Sequence, residues 1–364
     1  MKTEQEIIDL WESADVLVSI CCTAYNHEKY IEQALSGFLE QETNFSFEII
    51  VSDDCSTDNT TSIIRKYAKD YPNIIKPIYQ EENQYSKGAL PIRDFILPKV
   101  SGKYIALCEG DDYWNNPEKL QIQVDLLEEN PTYMGCGHNT MFLEGGNITE
   151  RLFLDPECTK KTYTFDDIVD YAYFHTTSLV YRYNDKYKKY IDEYLAKYSC
   201  VNRNDYYMLL VFSNFGPIGY INKVMSVYRL NDGGIWSGAG NEDQIQMFLK
   251  GCVDFSHIFP GYKSDFMISF ANTFCEHIND VSLGFIDTFL SMLSVKDHEL
   301  IIKSLIVFKK RDNDVIKECS EYITFLEKNL NDHSLKSLVI KIMNVTRVLP
   351  ILRKIRGAIK KCKE

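Results

Sequence analysis

The stretch Tyr104-Ile105-Ala106-Leu107-Cys108-Glu109-Gly110-Asp111-Asp112-Tyr113-Trp114 runs from an apolar segment straight into three carboxylates within four positions. A short continuous apolar run reads as a strand buried on both faces. Like charges packed together at its end cost free energy unless a cation or solvent offsets them. The same form recurs twice upstream. An expected strand at Val16–Cys22 opens into Thr23-Ala24-Tyr25-Asn26, and another at Phe47–Val51 opens into Ser52-Asp53-Asp54. Helical patterns over 27–40, 58–70 and 91–100, with a further strand at 74–79, fill the intervals. Strands alternating with helices of this length predict right-handed crossovers and a parallel sheet covered on both faces. In such sheets ligands gather at the carboxyl ends of the strands, which is where this sequence turns polar.

Each cluster also has a plain structural reading. The acidic run after Cys108 could be a solvated turn before the helix expected from about Pro117, since acidic residues are common ahead of helices. Ser56, Thr57 or Asp58 could cap the helix that follows the second strand. The chemical readings are equally specific. Carboxylate oxygens suit hard divalent ions, and Mg²⁺ or Mn²⁺ typically take one or two carboxylates plus substrate phosphates. A carboxylate at a strand end, such as Asp53 or Asp54, can accept the N3–H of a pyrimidine ring or bond a ribose hydroxyl without any positive charge.

The bulk properties narrow the field. The chain has 364 residues, room for a large α/β domain and an appendage of about 100 residues. A formal net charge of −12 argues against nucleic acid as a partner. The charge is uneven: Lys336 to Glu364 holds nine basic residues and one acidic, leaving about −20 on the rest. In that tail Leu335, Leu338, Val339, Ile342, Leu349, Leu352, Ile355 and Ile359 recur at helical spacing, interrupted by Pro350. A basic amphipathic helix of this kind fits an anionic membrane surface, the alternative being packing on the acidic body. The 11 cysteines are scattered without a CxxC pair, and the polar start at Met1–Asp15 is no signal peptide, so reduced thiols in a cytosol are expected. No uncharged apolar run is long enough to span a bilayer.

Beyond Pro117 the pattern mixes helices (118–129, 205–215) with strands (134–142, 177–183, 218–228), and from about Asn241 it turns entirely helical. His27, His138 and His175 lie near the candidate pocket segments without forming a ligand pair and read as structural. Trp114 and Trp236 could stack on sugar rings, though core packing is commoner.

Three segments together resemble the family 2 glycosyltransferases of GT-A fold. VSICCTAYNHEKYIEQAL (18–35) is similar to that family's first strand, nucleotide loop and helix. IIVSDDCSTDNT (49–60) is similar to its second strand and uridine-binding aspartates, and GKYIALCEGDDYWNNPEKLQIQ (102–123) to its DxD-type metal motif. A weaker match, RNDYYMLLVFSNFGPIGYINKVMSVYRLNDGGIWSG (203–238), resembles the acceptor-side region. The resemblance, which covers about Val16 to Gly238, implies an α/β GT-A fold, a Rossmann-like mixed sheet flanked by helices, over a transferase domain at 1–240 (nucleotide-sugar half 1–117, acceptor half 118–240). Beyond Asn241 it says nothing, and there the residue pattern itself gives an all-helical extension at 241–333 and the basic tail at 334–364.

Carried over position by position, the resemblance places Thr23, Ala24, Tyr25 and Glu28 around the nucleoside held by Asp53 and Asp54. Asn83 and Arg93 line the same pocket. Glu109, Gly110 and Asp111 form the DxD segment, with Asp111 on a Mn²⁺ or Mg²⁺ ion that bridges two phosphates, and Arg229 lies near the diphosphate. Asp205 matches the base that deprotonates an acceptor hydroxyl, implying one in-line displacement with inversion. Its plain reading is a helix N-cap. Two positions depart from the family: Glu109 is one methylene longer than aspartate, and Asn231, the third expected metal contact, stands where the family has histidine. The implied partners are a nucleotide-sugar donor, UDP-linked, and a glycan or lipid-linked acceptor, at the inner face of a bacterial membrane. The rivals are a nucleotidyltransferase, disfavoured because Thr23-Ala24-Tyr25-Asn26 lacks glycine, and a degenerate transferase that only binds nucleotide.

Overall fold

The computed structural model describes residues 2–170, 174–197, 204–231 and 240–277. The basic tail, most of the helical extension and Trp236 lie outside the described residues. The chain divides into two compact units, Met1–Gly238 and Ala239–Glu364.

In the first unit a short capped helix α1 (Glu4–Ile8) precedes β1 (Val16–Ala24), α2 (Ile31–Leu39), β2 (Ser46–Asp53), α3 (Thr60–Asp70), β3 (Ile75–Tyr79) and β4 (Tyr104–Leu107). Then come β5 (Tyr113–Trp114), α4 (Lys119–Glu129), β6 (Gly135–Glu144), β7 (Asn147–Leu152), β8 (Thr162–Tyr163), α5 (Phe165–Asp170) and β9 (Val180–Arg182). The unit closes with α6 (Lys188–Leu195), α7 (Asn204–Ser213) and β10 (Ile218–Leu230).

The sheet order is β3-β2-β1-β4-β9-β6-β10-β5, with β7 on β6 and β8 on β10. β3, β2, β1 and β4 are mutually parallel, as the alternation of strands and helices predicts. β9 then runs antiparallel to both β4 and β6, and β6 is parallel to β10. The sheet is therefore mixed, and β10 points the same way as β1 and β4. This direction brings Arg229 and Leu230, at the end of β10, to the edge where the loops after β1, β2 and β4 emerge.

Burial on both faces explains why the central strands carry no polar alternation: all eight residues of β2 are buried. Val18, Ile20, Ile49, Val51 and Ala106 pack with Ala34, Leu35 and Phe38 of α2 and Ile64 of α3 in one apolar cluster. Gly37 on α2 lets that helix lie directly on β5, because a Cβ there would come 2.7 Å from the Trp114 carbonyl oxygen. Trp114 is core: it packs edge-on against Phe38 and donates its indole N–H to the Thr177 carbonyl at 2.9 Å. Residues 91–100, expected as a helix, form a π-helical turn at Ile92–Ile96 and a 3₁₀ turn at Leu97–Lys99, with Pro98 barring a longer α-helix.

Helix α7 is buried from Tyr206 through Ser213, apolar all round, as a core helix must be. In the second unit α8 (Asn241–Ile258) and α9 (Lys263–His277) pack through Phe255, Phe259 and Phe266. Among the described residues no helix is long and apolar enough to cross a membrane.

Candidate functional site

The loops after β1 and β2 are laced into one another. Asn26, in left-handed backbone geometry at φ 55°, donates its N–H to Ser56 Oγ at 2.9 Å, and its Oδ1 accepts from the Thr57 N–H at 2.8 Å. The Glu28 N–H donates to Asp58 Oδ2 at 3.0 Å, and Glu28 Oε2 accepts from the Asn59 N–H and Nδ2. Asp58 also accepts from the Thr60 N–H, the first amide of α3, from one residue ahead of the N-cap Asn59. Thr23 and Ala24 continue the strand, while Tyr25 projects from the edge, 43% exposed.

Asp53 and Asp54 are buried, and their carboxylates are satisfied within these loops. Asp53 accepts from the Ser56 N–H and hydroxyl and from the Thr61 hydroxyl. Asp54 accepts from the N–H groups of Gln84 and Tyr85, at 2.8 and 3.0 Å, tying the β2 end to the loop after β3. Asn83 donates to the Asp54 carbonyl and so belongs to the same tie. Arg93 is paired with Asp94 through two nitrogens, and its Nη1 donates to the Leu195 carbonyl at 3.4 Å.

After β4 the situation reverses. Gly110 donates its N–H to the Thr23 carbonyl at 2.9 Å, clamping the acidic loop onto β1. A Cβ at Gly110 would meet Ile31, His27 Nδ1 and the Thr23 oxygen at 2.8, 3.0 and 3.2 Å, so glycine is required for this approach. Glu109 Oε2 is shielded from solvent and has no hydrogen-bond partner. Burial, with the charges of Asp111 and Asp205, pushes the Glu109 carboxyl up to about 8. Asp111 keeps a 17% exposed side chain, with Oδ2 accepting from Asn231 Nδ2 at 3.0 Å and standing 4.0 Å from His27 Nε2.

Asp112 is buried and holds β10 in place: its Oδ1 accepts from the Arg229 N–H at 2.7 Å, and its Oδ2 lies 3.9 Å from His175 Nε2. Burial and the neighbouring charges of Asp111 and Glu109 hold its carboxyl well above the usual range. The Arg229 side chain donates from Nε to the Asp111 carbonyl and from Nη2 to Gln33 Oε1. Its guanidinium lies over the Tyr30 ring at 4.6 Å and the Tyr113 ring at 5.6 Å.

Asp205 is exposed in the first turn of α7, and its negative charge is felt at Glu109, Tyr181 and Tyr228. Tyr181 beneath it stacks on Phe212 at 4.0 Å and leaves a buried hydroxyl without a partner. The structure thus gathers Glu109, Asp111, Arg229 and Asn231 tightly, with Asp205 within electrostatic reach. Asn83 joins the tie between the end of β2 and the loop after β3, and Arg93 is held by Asp94 and the Leu195 carbonyl.

Sequence reasoning read His27 and His175 as structural, took Asn26 only as part of a polar strand end, and did not single out Gln33. A histidine between two strand-end motifs was the available signal for His27. Nothing in the sequence pairs Gln33 with Arg229, 196 positions away. Among the described residues no three His, Cys, Asp or Glu side chains converge as a ready metal cage. The orphaned, buried Glu109 oxygen beside Asp111 nevertheless fits a cation that takes few protein ligands and completes its shell with phosphate.

Known proteins place this edge in context. Residues 19–190 match glycosyl transferase family 2, a segment containing the laced loops and the acidic loop. The chain is 34% identical over 224 residues to an uncharacterised protein of Mycobacterium tuberculosis, covering 61% of each. It is also 27% identical over 242 residues to the Escherichia coli UDP-Glc:alpha-D-GlcNAc-diphosphoundecaprenol beta-1,3-glucosyltransferase WfgD, covering 65% of this chain and 86% of that one. Crystal structures of residues 1–349 of Staphylococcus aureus TarS share the fold at a TM-score of 0.57 and 18% identity, covering 92% of this chain and 91% of that one. The sheet, its laced loops and the acidic strand end define a GT-A domain. Over residues 19–190 the chain is similar to glycosyltransferase family 2.

Proposed function

We propose that the protein transfers a sugar from a nucleoside-diphosphate donor, UDP-linked, to a hydroxyl of a glycan or lipid-linked acceptor, with inversion at the anomeric carbon. One observation carries the reading: the acidic loop after β4 leaves Glu109 unpaired beside Asp111, next to the clamped Arg229, at the edge shared with the nucleotide-type loops. WfgD, whose name specifies UDP-glucose and a diphosphoundecaprenol-linked acceptor, supports the donor and acceptor classes, and one TarS structure contains UDP.

A bound Mn²⁺ or Mg²⁺, held by Asp111 with Glu109, would supply Lewis-acid stabilisation of the departing diphosphate. Arg229 is pinned by Asp112 and Gln33, so its cation adds to that stabilisation without reorganising. Asp205, exposed and free of the acidic loop, accepts the proton of the attacking hydroxyl. The basic tail at 334–364 would hold the enzyme on the anionic inner face of the membrane. Loss of co-sedimentation with anionic vesicles on deleting residues 335–364 tests that attachment, and retained binding refutes it.

Calorimetry of UDP binding tests the core reading. Affinity should depend strongly on Mn²⁺, and Asp111→Ala should remove that dependence. Equal UDP affinity with and without EDTA would exclude the metal role, and no UDP binding under either condition would exclude the donor class.

A further inference from the structure

We propose that Gln33, in the first turn of α2, is a positioning residue that holds Arg229 charged and oriented for the β-phosphate of a nucleoside diphosphate, an inference that rests on the donor site proposed above. Gln33 Oε1 accepts from Arg229 Nη2 at 2.7 Å, and the Asp111 carbonyl accepts from Nε at 2.9 Å. Tyr30, at the N-cap of the same helix and three residues before Gln33, lays its ring against the guanidinium at 4.6 Å. Burial pushes the Tyr113 phenol up, while the Arg229 charge and the Gln33 amide act against that rise, which places both beside it. Two hydrogen bonds and two rings thus fix the plane of the guanidinium.

Two other arginines make the contrast. Arg93 is neutralised by Asp94, which it meets through two nitrogens. Arg182 is 5% exposed and donates from all three nitrogens, to the Tyr133 and Leu127 carbonyls and the Tyr104 hydroxyl. Arg229 is half-buried, and both acceptors of its guanidinium are neutral. Among the described residues its Nη1 has no hydrogen-bond partner and its side chain no ion pair. A fixed, uncompensated guanidinium with a free edge suits the paired hydrogen bonds that phosphate oxygens accept.

The chemistry of residue 33 decides the charge. At the third position of a helix the dipole favours glutamate, which would also pair with the guanidinium. Glutamine offers the same acceptor atom on a stem of the same length and leaves the cation to an anion from outside. Gln33 is exposed, so exchanging these two side chains disturbs no packing.

Calorimetry on the full chain in Mn²⁺, with UDP and UMP as probes, tests the assignment. Gln33→Glu should weaken UDP binding at least about tenfold and UMP binding less than about twofold, while the melting temperature stays equal or rises. Lost affinity without lost stability is what positioning predicts and a purely structural role does not. Gln33→Met removes the acceptor without adding charge. It should also weaken UDP selectively, and in an Arg229→Met background it should cost nothing further. That cycle decides alone if Gln33→Glu fails to fold. Unchanged UDP affinity in Gln33→Glu, equal losses for UDP and UMP, or additive losses in the double variant overturn the assignment and leave the donor site standing. Absence of UDP binding by the wild-type chain overturns both.

Discussion

The loops after β1 and β2 and the loop after β4 bring carboxylates to the same edge of one sheet and treat them in opposite ways. Asp53 and Asp54 accept hydrogen bonds from Ser56, Thr61, Gln84 and Tyr85 and are closed into the architecture. Glu109 and Asp111 share the acidic loop, and Glu109 Oε2 is shielded from solvent without a hydrogen-bond partner. The first region is built to be stable without a ligand. The second holds a desolvated carboxyl beside a like charge, a cost that a bound cation would relieve, the pattern expected where a site is maintained at the expense of stability.

That contrast can be broken by mutation. The largest effect is expected at the acceptor side: Asp205→Asn should lower the transfer rate by at least about 10²-fold while UDP affinity by calorimetry stays unchanged. A variant that turns over normally would leave Asp205 as an ordinary first-turn residue of α7. Next, Asp53→Ala should destabilise the fold by about 1–2 kcal/mol in a denaturant titration, because it removes the acceptor of the half-buried Ser56 N–H and of the Ser56 and Thr61 hydroxyls.

Glu109→Gln should act in the opposite direction, raising the ligand-free melting temperature at pH 8 by relieving repulsion from Asp111. A destabilised Glu109→Gln would mean that the two loops do not differ as described.

The smallest effect concerns a buried cation under the same sheet. Lys119 is fully buried, donates to Gln123 Oε1 at 2.6 Å and lies 3.9 Å from the Trp114 ring centre, with the Cys108 and Cys136 thiols nearby. Burial pulls its ammonium down to about 7. Between that value and its ordinary one near 10.5 the unfolded chain binds the extra proton, so stability should rise with pH across the window and level off below 7. Lys119→Met should flatten that slope in thermal melts between pH 7 and 9. An unchanged slope would assign the dependence to other groups.

Much of this was legible from residues near one another in the chain. The four parallel strands, the helices between them and the polar strand ends follow from local periodicity, since a doubly covered strand leaves an apolar run and its exit does not. That Asp58 would satisfy the first amide of α3 was legible for the same local reason, though the N-cap itself is Asn59. Long-range partners were not. Residues 91–100 read as a helix, yet Pro98 and a π turn shorten it, and Arg93 pairs with its neighbour Asp94. Asn83 and Asp54, 29 positions apart, meet only because β3 lies beside β2.

The sequence by itself determined the run of parallel strands, the three polar strand ends and which residues could carry charge, because these depend on spacing within a few turns or a single strand. That the whole sheet is mixed was not legible in that spacing. The tertiary structure decided which of those carboxylates are neutralised by hydrogen bonds and which are left to a ligand. It did so through the antiparallel insertion of β9, which turns β6 and β10 to run alongside β4. That direction brings Arg229 and Asn231 onto the acidic loop, across more than a hundred residues of chain. Hydrogen bonds of that range depend on strand order and direction, which no local pattern encodes.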